Sequence, residues 1–470
     1  MILAVEIPQK ITSAGPVEIV VLTEAASANT VQAVLDGAET IEFKKDGKHD
    51  VEGADAFSTV LPIFGTVDNG DHTLEVIAAR GALEDRVTRK FVVSTPAAGV
   101  VAWERYGGAG SQATRLALDP EGRVYEGGAL AFGSPPQPHV RLRDPLTGAD
   151  VWPGGGFVLD EREGAVADLA LTPDGRVWVA MNVREGNTWR ARIALFEFNM
   201  APTGIELEKP GATVTAIDGD GDGGCLAVGY APTIYGDVDV LMFRIAGDGT
   251  PIASGHPWDY VPPNMEPHWF VDLAFDVVVD VPAGEAWIVG TSQGKHDLVN
   301  QLVEARGMLL RVDLDTLEEL DPVIIAPPIN GVPQSIFYGA TLDPTGILVT
   351  GNECTEMCDV QRLIVDHYNV RGARTLVYRG NFSPAAFGSS IARSAHGTVL
   401  VAANAKNGGV MRGFALGLRD GMETFAPVAL PGKGASGASA VAVGPYDWAF
   451  AAGQVTLGAE SQAYVMRVHQ

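Results

Sequence analysis

Apolar and polar residues alternate in short runs along the whole chain, and glycine, proline and aspartate punctuate the runs. Alternation with a period of two predicts half-buried β-strands, because successive side chains of a strand point to opposite faces. No stretch sustains a helical period. In the first part the pattern appears in V-E-I-V-V-L, V-Q-A-V-L-D-G, T-I-E-F, H-T-L-E-V-I-A-A and R-K-F-V-V. Turn signals separate these runs at Asp36-Gly37, Asp46-Gly47 and Asn69-Gly70-Asp71. Several short strands at this spacing predict a β-sandwich over residues 1–97. The stretch S-T-P-A-A-G at 94–99 reads as a linker.

The rest of the chain repeats. L-A-L-D-P-E-G-R-V-Y-E-G-G (116–128) aligns with L-A-L-T-P-D-G-R-V-W-V-A (169–180), and five further segments follow the same strand–turn–strand plan. A third strand follows each pair, such as V-R-L-R-D, I-A-L-F-E-F or V-L-M-F-R-I. A fourth, shorter strand comes after a turn, as in T-G-A-D-V-W and G-A-R-T-L-V-Y. Four antiparallel strands recurring about every 50 residues predict a β-propeller. The last of the seven units stops at its third strand, Y-V-M-R-V. Its fourth is expected from V-V-A-W-E-R-Y, residues 100–106, which would remove exposed sheet edges. The expected fold is all-β, with a sandwich followed by a seven-bladed propeller over 100–470.

Two resemblances bear on these parts. V-D-N-G-D-H-T-L-E-V-I-A-A-R resembles the late strands of bacterial immunoglobulin-like domains, and V-L-D-G fits their earlier hairpin. Trp103, Gly107, Gly108, Asp119, Gly122 and Val124-Tyr125 match the beta-propeller repeat of bacterial exported proteins. The second resemblance implies a propeller in an exported setting. It brings no common catalytic residue with it.

Composition sharpens this picture. The 56 glycines suit many turns. No apolar run approaches the roughly 20 residues needed for a spanning helix. A formal net charge of −25 repels phosphate backbones and argues against nucleic acid as a partner. The start, M-I-L-A-V-E-I-P-Q-K, lacks the ordered regions of a signal peptide and reads as a strand already under way. The expectation is an exported chain, periplasmic, cell-surface or extracellular, whose signal is not in this sequence, with a lipid anchor upstream left open. Cys354 and Cys358 in C-T-E-M-C read as a disulfide closing a small loop in an oxidising compartment, with two thiols as the alternative. A zinc site there is short of ligands. Cys225 lies in an apolar strand and reads as a small buried hydrophobe.

Three sets of residues are candidates for chemistry. Asp218, Asp220 and Asp222, with Gly223, have the opening spacing of a calcium loop. They also resemble the calcium loop of integrin-type repeats, followed here by Leu226-Ala227-Val228-Gly229. The aspartate expected at the ninth position is missing, so an acidic hairpin turn is the first reading and a weak calcium site the second. The second set lies just before the inner-strand core, at Arg115, Asp168, Val214, Asp272, Gly339, Ser390 and Ala440. Arg115 is expected to pair with Asp168 and Asp272 in the channel. The third set is expected on the loop face: Trp189, Tyr235, His256, Trp258, Tyr260, His268 and Trp269. Aromatic rings among polar neighbours suit sugar or protein recognition, and the alternative is that they pack the loops together.

No nucleophile elbow, H-E-x-x-H or P-loop is present. R-D-P-L-T-G-A-D-V-W resembles repeats of quinone-cofactor dehydrogenases over one hairpin only. The expected function is therefore a non-enzymatic exported or cell-surface binding or scaffold protein. Its propeller face would recognise a protein or glycan partner, within a surface assembly or as a homo-oligomer. The alternative is a propeller-type enzyme, either a glycan hydrolase or lyase or a quinone-dependent dehydrogenase. Calcium is the one cofactor the sequence leaves open.

Overall fold

A computed structural model of the chain describes all residues except 1, 12–15, 38, 47–48, 50–53, 63–69, 94–97, 132–134, 235–236, 260–270, 297–301, 304, 327–334, 355–359, 381–384, 432–433, 445–447, 459 and 470. The described chain is almost entirely β-strand, and no helix in it is long and apolar enough to cross a membrane. It divides into two compact units, Met1–Val100 with a few C-terminal residues, and Val101–Pro445 with Ala449–Val468.

The N-terminal unit has two sheets. Ile2–Glu6, Pro16–Glu24, Ala54–Pro62 and Lys44–Lys45 form one. Lys10–Ile11, Leu83–Val93, Gly70–Arg80, Thr30–Leu35 and Glu39–Glu42 form the other. Alternation along each strand sends one set of side chains between the sheets. Ile19, Val21, Phe57 and Leu61 from the first sheet meet Val31, Leu74, Val76 and Phe91 from the second in a single core. The Asp36-Gly37 turn has both residues in the left-handed region, which aspartate tolerates and glycine favours.

The larger unit is β-propeller-like and contains six antiparallel sheets among the described residues. Five of them contain four or five strands. The nine-stranded sixth joins two groups of the same kind, beginning at Thr213–Gly219 and Val271–Asp280, through one parallel pair, Val238 with Val271. The strand Val101–Ala109 pairs antiparallel with Glu460–Val468, beside Ala449–Leu457 and Ser436–Val443. The first strands of the groups lie against one another in sequence order, and Ser436–Val443 lies in turn against Gln112–Leu118.

One expected strand differs. T-G-A-D-V-W makes only an isolated bridge, Arg143 with Asp150. The strand that pairs there is the short Phe157–Val158. Pro153 and three glycines at positive φ, Gly154, Gly155 and Gly156, intervene. Proline lacks a ladder donor and glycine weakens a strand, so pairing resumes only beyond them. The expected Cys354–Cys358 disulfide is also not found among the described residues. Cys354 is buried at the end of Gly346–Cys354, and Cys358 lies outside them.

Trp103 anchors the strand Val101–Ala109. It is 7% exposed, packs at a tilt on Phe450 with centroids 5.9 Å apart, and donates from its indole nitrogen to the Pro145 carbonyl at 2.9 Å. Gly148 sits at φ +69°, and a Cβ there would come within 2.5 Å of the indole ring. Removing the ring leaves a cavity, while the Pro145 carbonyl keeps its second donor, Arg467. Trp103→Ala should cost about 3–5 kcal/mol, read from urea unfolding, with Trp103→Phe nearer wild type. Equal stability of Trp103→Ala and wild type would show that the strand needs no such anchor.

Candidate functional site

Each first strand of the larger unit carries a β-bulge at the same point against its neighbour. The register shifts at Ala113/Arg115, Val166/Asp168, Val214/Ala216, Ala274/Asp276, Phe337/Gly339, Gly388/Ser390 and Ala438/Ala440. A bulge leaves one residue unpaired and re-aims its side chain. The residues skipped are Thr114, Ala167, Thr215, Phe275, Tyr338, Ser389 and Ser439, and all of them line one cavity of about 640 Å³. That volume lies within the range of small-molecule sites.

The cavity has two kinds of wall. Phe275, Tyr338 and Phe387 form an aromatic row, with ring centroids 5.2 Å and 5.7 Å apart. The rest of the lining mixes hydroxyl and amide side chains with Val166, Val214, Met411 and several alanines. Thr114 Oγ1 donates to the carbonyls of Gly127 and Val166, Thr215 Oγ1 to Val228 and Ala274, and Ser389 Oγ to Ala402 and Ala438. In each pair the second carbonyl belongs to the next first strand, so each hydroxyl stitches two groups together. Ser389 Oγ also accepts from the Asn404 amide. Asn182 and Asn404 clamp the peptide groups of Val214 and Ala438 through both amide atoms.

Below the bulges lies a layer of charge. Arg115 Nε is 3.6 Å from Asp168 Oδ1. Asp168 accepts from the amides of Leu169 and Ile217, and Asp276 from those of Val277 and Ala340. Asp218 accepts in the same way from Gly219 and Val279. Each carboxylate thus holds its own strand and the next. Enclosure pushes Asp276 up to about 7, opposed by Arg115 and reinforced by Asp168. Asp218 is pushed up to about 6 by burial, against its two amide bonds and with a smaller contribution from Asp168. Burial also raises Asp168, while Arg115 lowers it.

The structure brings Arg115 and Asp168 together as expected from sequence but puts Asp276, not Asp272, at the equivalent position. Asp272 is fully buried beside a second bulge, four residues earlier. Ala216 likewise stands where Val214 was expected. Of the loop-face residues, Trp189, His256 and Trp258 are described, and none of the three lines the cavity. Trp189 is 45% exposed at the start of the third strand Thr188–Phe196. His256 and Trp258 lie in a fourth strand, Pro251–Trp258, rather than a loop, and Trp258 donates to Glu319 at 2.8 Å. Prolines at 251 and 257 are tolerated there because this strand lies at the outer end of its group. Tyr235, Tyr260, His268 and Trp269 lie outside the described residues.

The three aspartates of the acidic turn, for which a weak calcium site is the second reading, diverge. Asp218 turns toward Val279. Asp220 is buried, with one oxygen on the amides of Asp222 and Gly224 and the other 2.6 Å from Arg244 Nη1. Asp222 is exposed. Arginine supplies the positive charge at Asp220 that calcium would have brought. Among the described residues one other set, Glu18, Asp46 and His49 of the N-terminal unit, brings three metal-ligating side chains close, and the sequence reading missed it.

Two measurements test this layer. Asp276 has a folded value raised above its unfolded one, so its stabilising effect is full below about pH 4 and is lost as pH rises through about 7. Asp276→Asn removes this loss, and its stability relative to wild type should rise by about 2 kcal/mol between those limits, less than full burial would give because the residue is only half-buried. A difference that stays flat with pH would contradict the raised value. Asp220→Ala should cost about 3 kcal/mol by leaving Arg244 buried and unpaired, and millimolar calcium should not shift the melting temperature of the wild type. A calcium-dependent rise would restore the metal reading.

No family model matches this chain, and no curated protein is similar to it in sequence. Solved structures are similar at low levels. Sqt1 from Chaetomium thermophilum is 11% identical over 76% of this chain and 82% of its own, with a TM-score of 0.40. The periplasmic gluconolactonase of Pseudomonas aeruginosa is 14% identical over 69% and 95%, with a TM-score of 0.37. The PQQ-bound aldose sugar dehydrogenase of Streptomyces coelicolor is 15% identical over 64% and 94%, with a TM-score of 0.35. At these scores the likenesses carry no weight for activity or ligand.

Proposed function

We propose that the protein is an exported, non-enzymatic binding protein. An immunoglobulin-like domain, residues 1–97, precedes a seven-bladed propeller, residues 100–470, whose channel mouth takes a sugar unit of a glycan partner. The observation that carries this reading is the convergence of the bulge residues on one cavity. An aromatic row faces hydroxyl and amide groups across it. A sugar ring has an apolar face that packs on aromatic rings and an edge of hydroxyls that needs acceptors and donors. A concave volume of about 640 Å³ suits one or two rings better than a flat protein epitope. The exported setting rests on the repeat resemblance, and membership of a surface assembly or a homo-oligomer is compatible with it.

A propeller enzyme is the second reading, on one observation. Asp276, pushed up to about 7, lies in the range of a general acid or base near neutral pH. Against it, both of its oxygens accept backbone amides.

The test is calorimetric titration of the full chain with mono- and disaccharides. Tyr338→Ala should weaken binding at least tenfold, because stacking and apolar burial are both lost. Binding unaffected by Tyr338→Ala would place the sugar elsewhere. Product release from a bound oligosaccharide would favour the enzyme.

A further inference from the structure

Several largely buried arginines among the described residues sit directly against a carboxylate. Arg143 meets Glu126, Arg244 meets Asp220 and Arg311 meets Glu285, each at 2.6 Å. Arg115 differs. Among the described residues its guanidinium makes one hydrogen bond, to the Ser439 carbonyl at 3.5 Å, and lies 3.6 Å from Asp168. Asp168 is itself shared, each of its carboxylate oxygens accepting one backbone amide. Arg115 is also the one charged side chain among the described residues lining the cavity. Its remaining N–H donors form a planar fork suited to a carboxylate, in a cavity that also offers rings, hydroxyls and apolar side chains.

We propose that the cavity selects a uronic acid, with the sugar carboxylate on Arg115, the ring face on the Phe275–Tyr338–Phe387 row and ring hydroxyls on Thr114, Thr215 and Ser389. This inference rests on the glycan-binding reading and narrows its ligand class. A uronate and its parent sugar differ only in carboxylate against hydroxymethyl, so their ratio isolates the contribution of Arg115. An aromatic carboxylate shares the acid and the flat face but lacks the hydroxyls, and serves as the competing source of the same chemistry.

The experiment is calorimetric titration of the full chain with glucuronate, glucose and benzoate at one ionic strength. Glucuronate should bind at least tenfold more tightly than glucose and more tightly than benzoate, as expected for a charge-assisted contact added to a neutral sugar site. Arg115→Gln should bring glucuronate down to the level of glucose. Equal binding of glucuronate and glucose would overturn the inference and leave the glycan reading standing. Benzoate as tight as glucuronate would overturn it in favour of an aromatic acid. Binding of no sugar would overturn both. If Arg115→Gln fails to fold, the wild-type ratio decides alone, with Tyr338→Ala expected to weaken both sugars alike.

Discussion

The larger unit depends on side chains that hold one first strand to the next. Antiparallel pairing satisfies the backbone within each group, but adjacent first strands have no ladder between them. Asp168, Asp218 and Asp276 bridge that gap with carboxylates, and Thr114, Thr215 and Ser389 with hydroxyls. Buried polar groups are costly unless paired. These residues turn that constraint into a link, since each accepts from or donates to peptide groups on both sides. The bulge makes the link sterically feasible, because it aims one extra side chain away from its own ladder.

The same device builds the cavity. Bulge residues that need not bond to the next strand are available as lining, and here Phe275 and Tyr338 occupy two adjacent positions. The result is an asymmetric lining, with an aromatic row in one part and hydroxyl, amide and aliphatic side chains in the rest. The charged layer beneath keeps its carboxylates occupied by amides and leaves Arg115 comparatively loose. Structure and ligand chemistry therefore share residues. A substitution at a stitching hydroxyl would affect both, whereas one at the aromatic row acts mainly on the cavity.

The acidic turn at 218–224 shows how context decides chemistry. Its spacing suits a cation, but Arg244 reaches Asp220 from the neighbouring strand Val238–Ile245, and Trp178 holds the Gly223 carbonyl at 3.0 Å. A covalently attached cation needs no recruitment from solution. The buried carboxylate of the turn is thus satisfied by a side chain of the same chain.

Strand positions were legible in the sequence because alternation and turn chemistry are local properties, and the repeat made each unit check the others. The Arg115–Asp168 proximity was legible for the same reason. The cavity was not. Assigning Val214 and Asp272 in place of Ala216 and Asp276 displaced the alignment by an even number of residues, which leaves the alternation unchanged and so escapes detection by pattern. Only pairing register distinguishes such alternatives, and register depends on contacts with residues some fifteen positions away. The sequence by itself determined which residues form strands and which face of each strand is apolar. The tertiary structure alone decided which side chains the bulges turn inward, because that choice is made between strands and not along one.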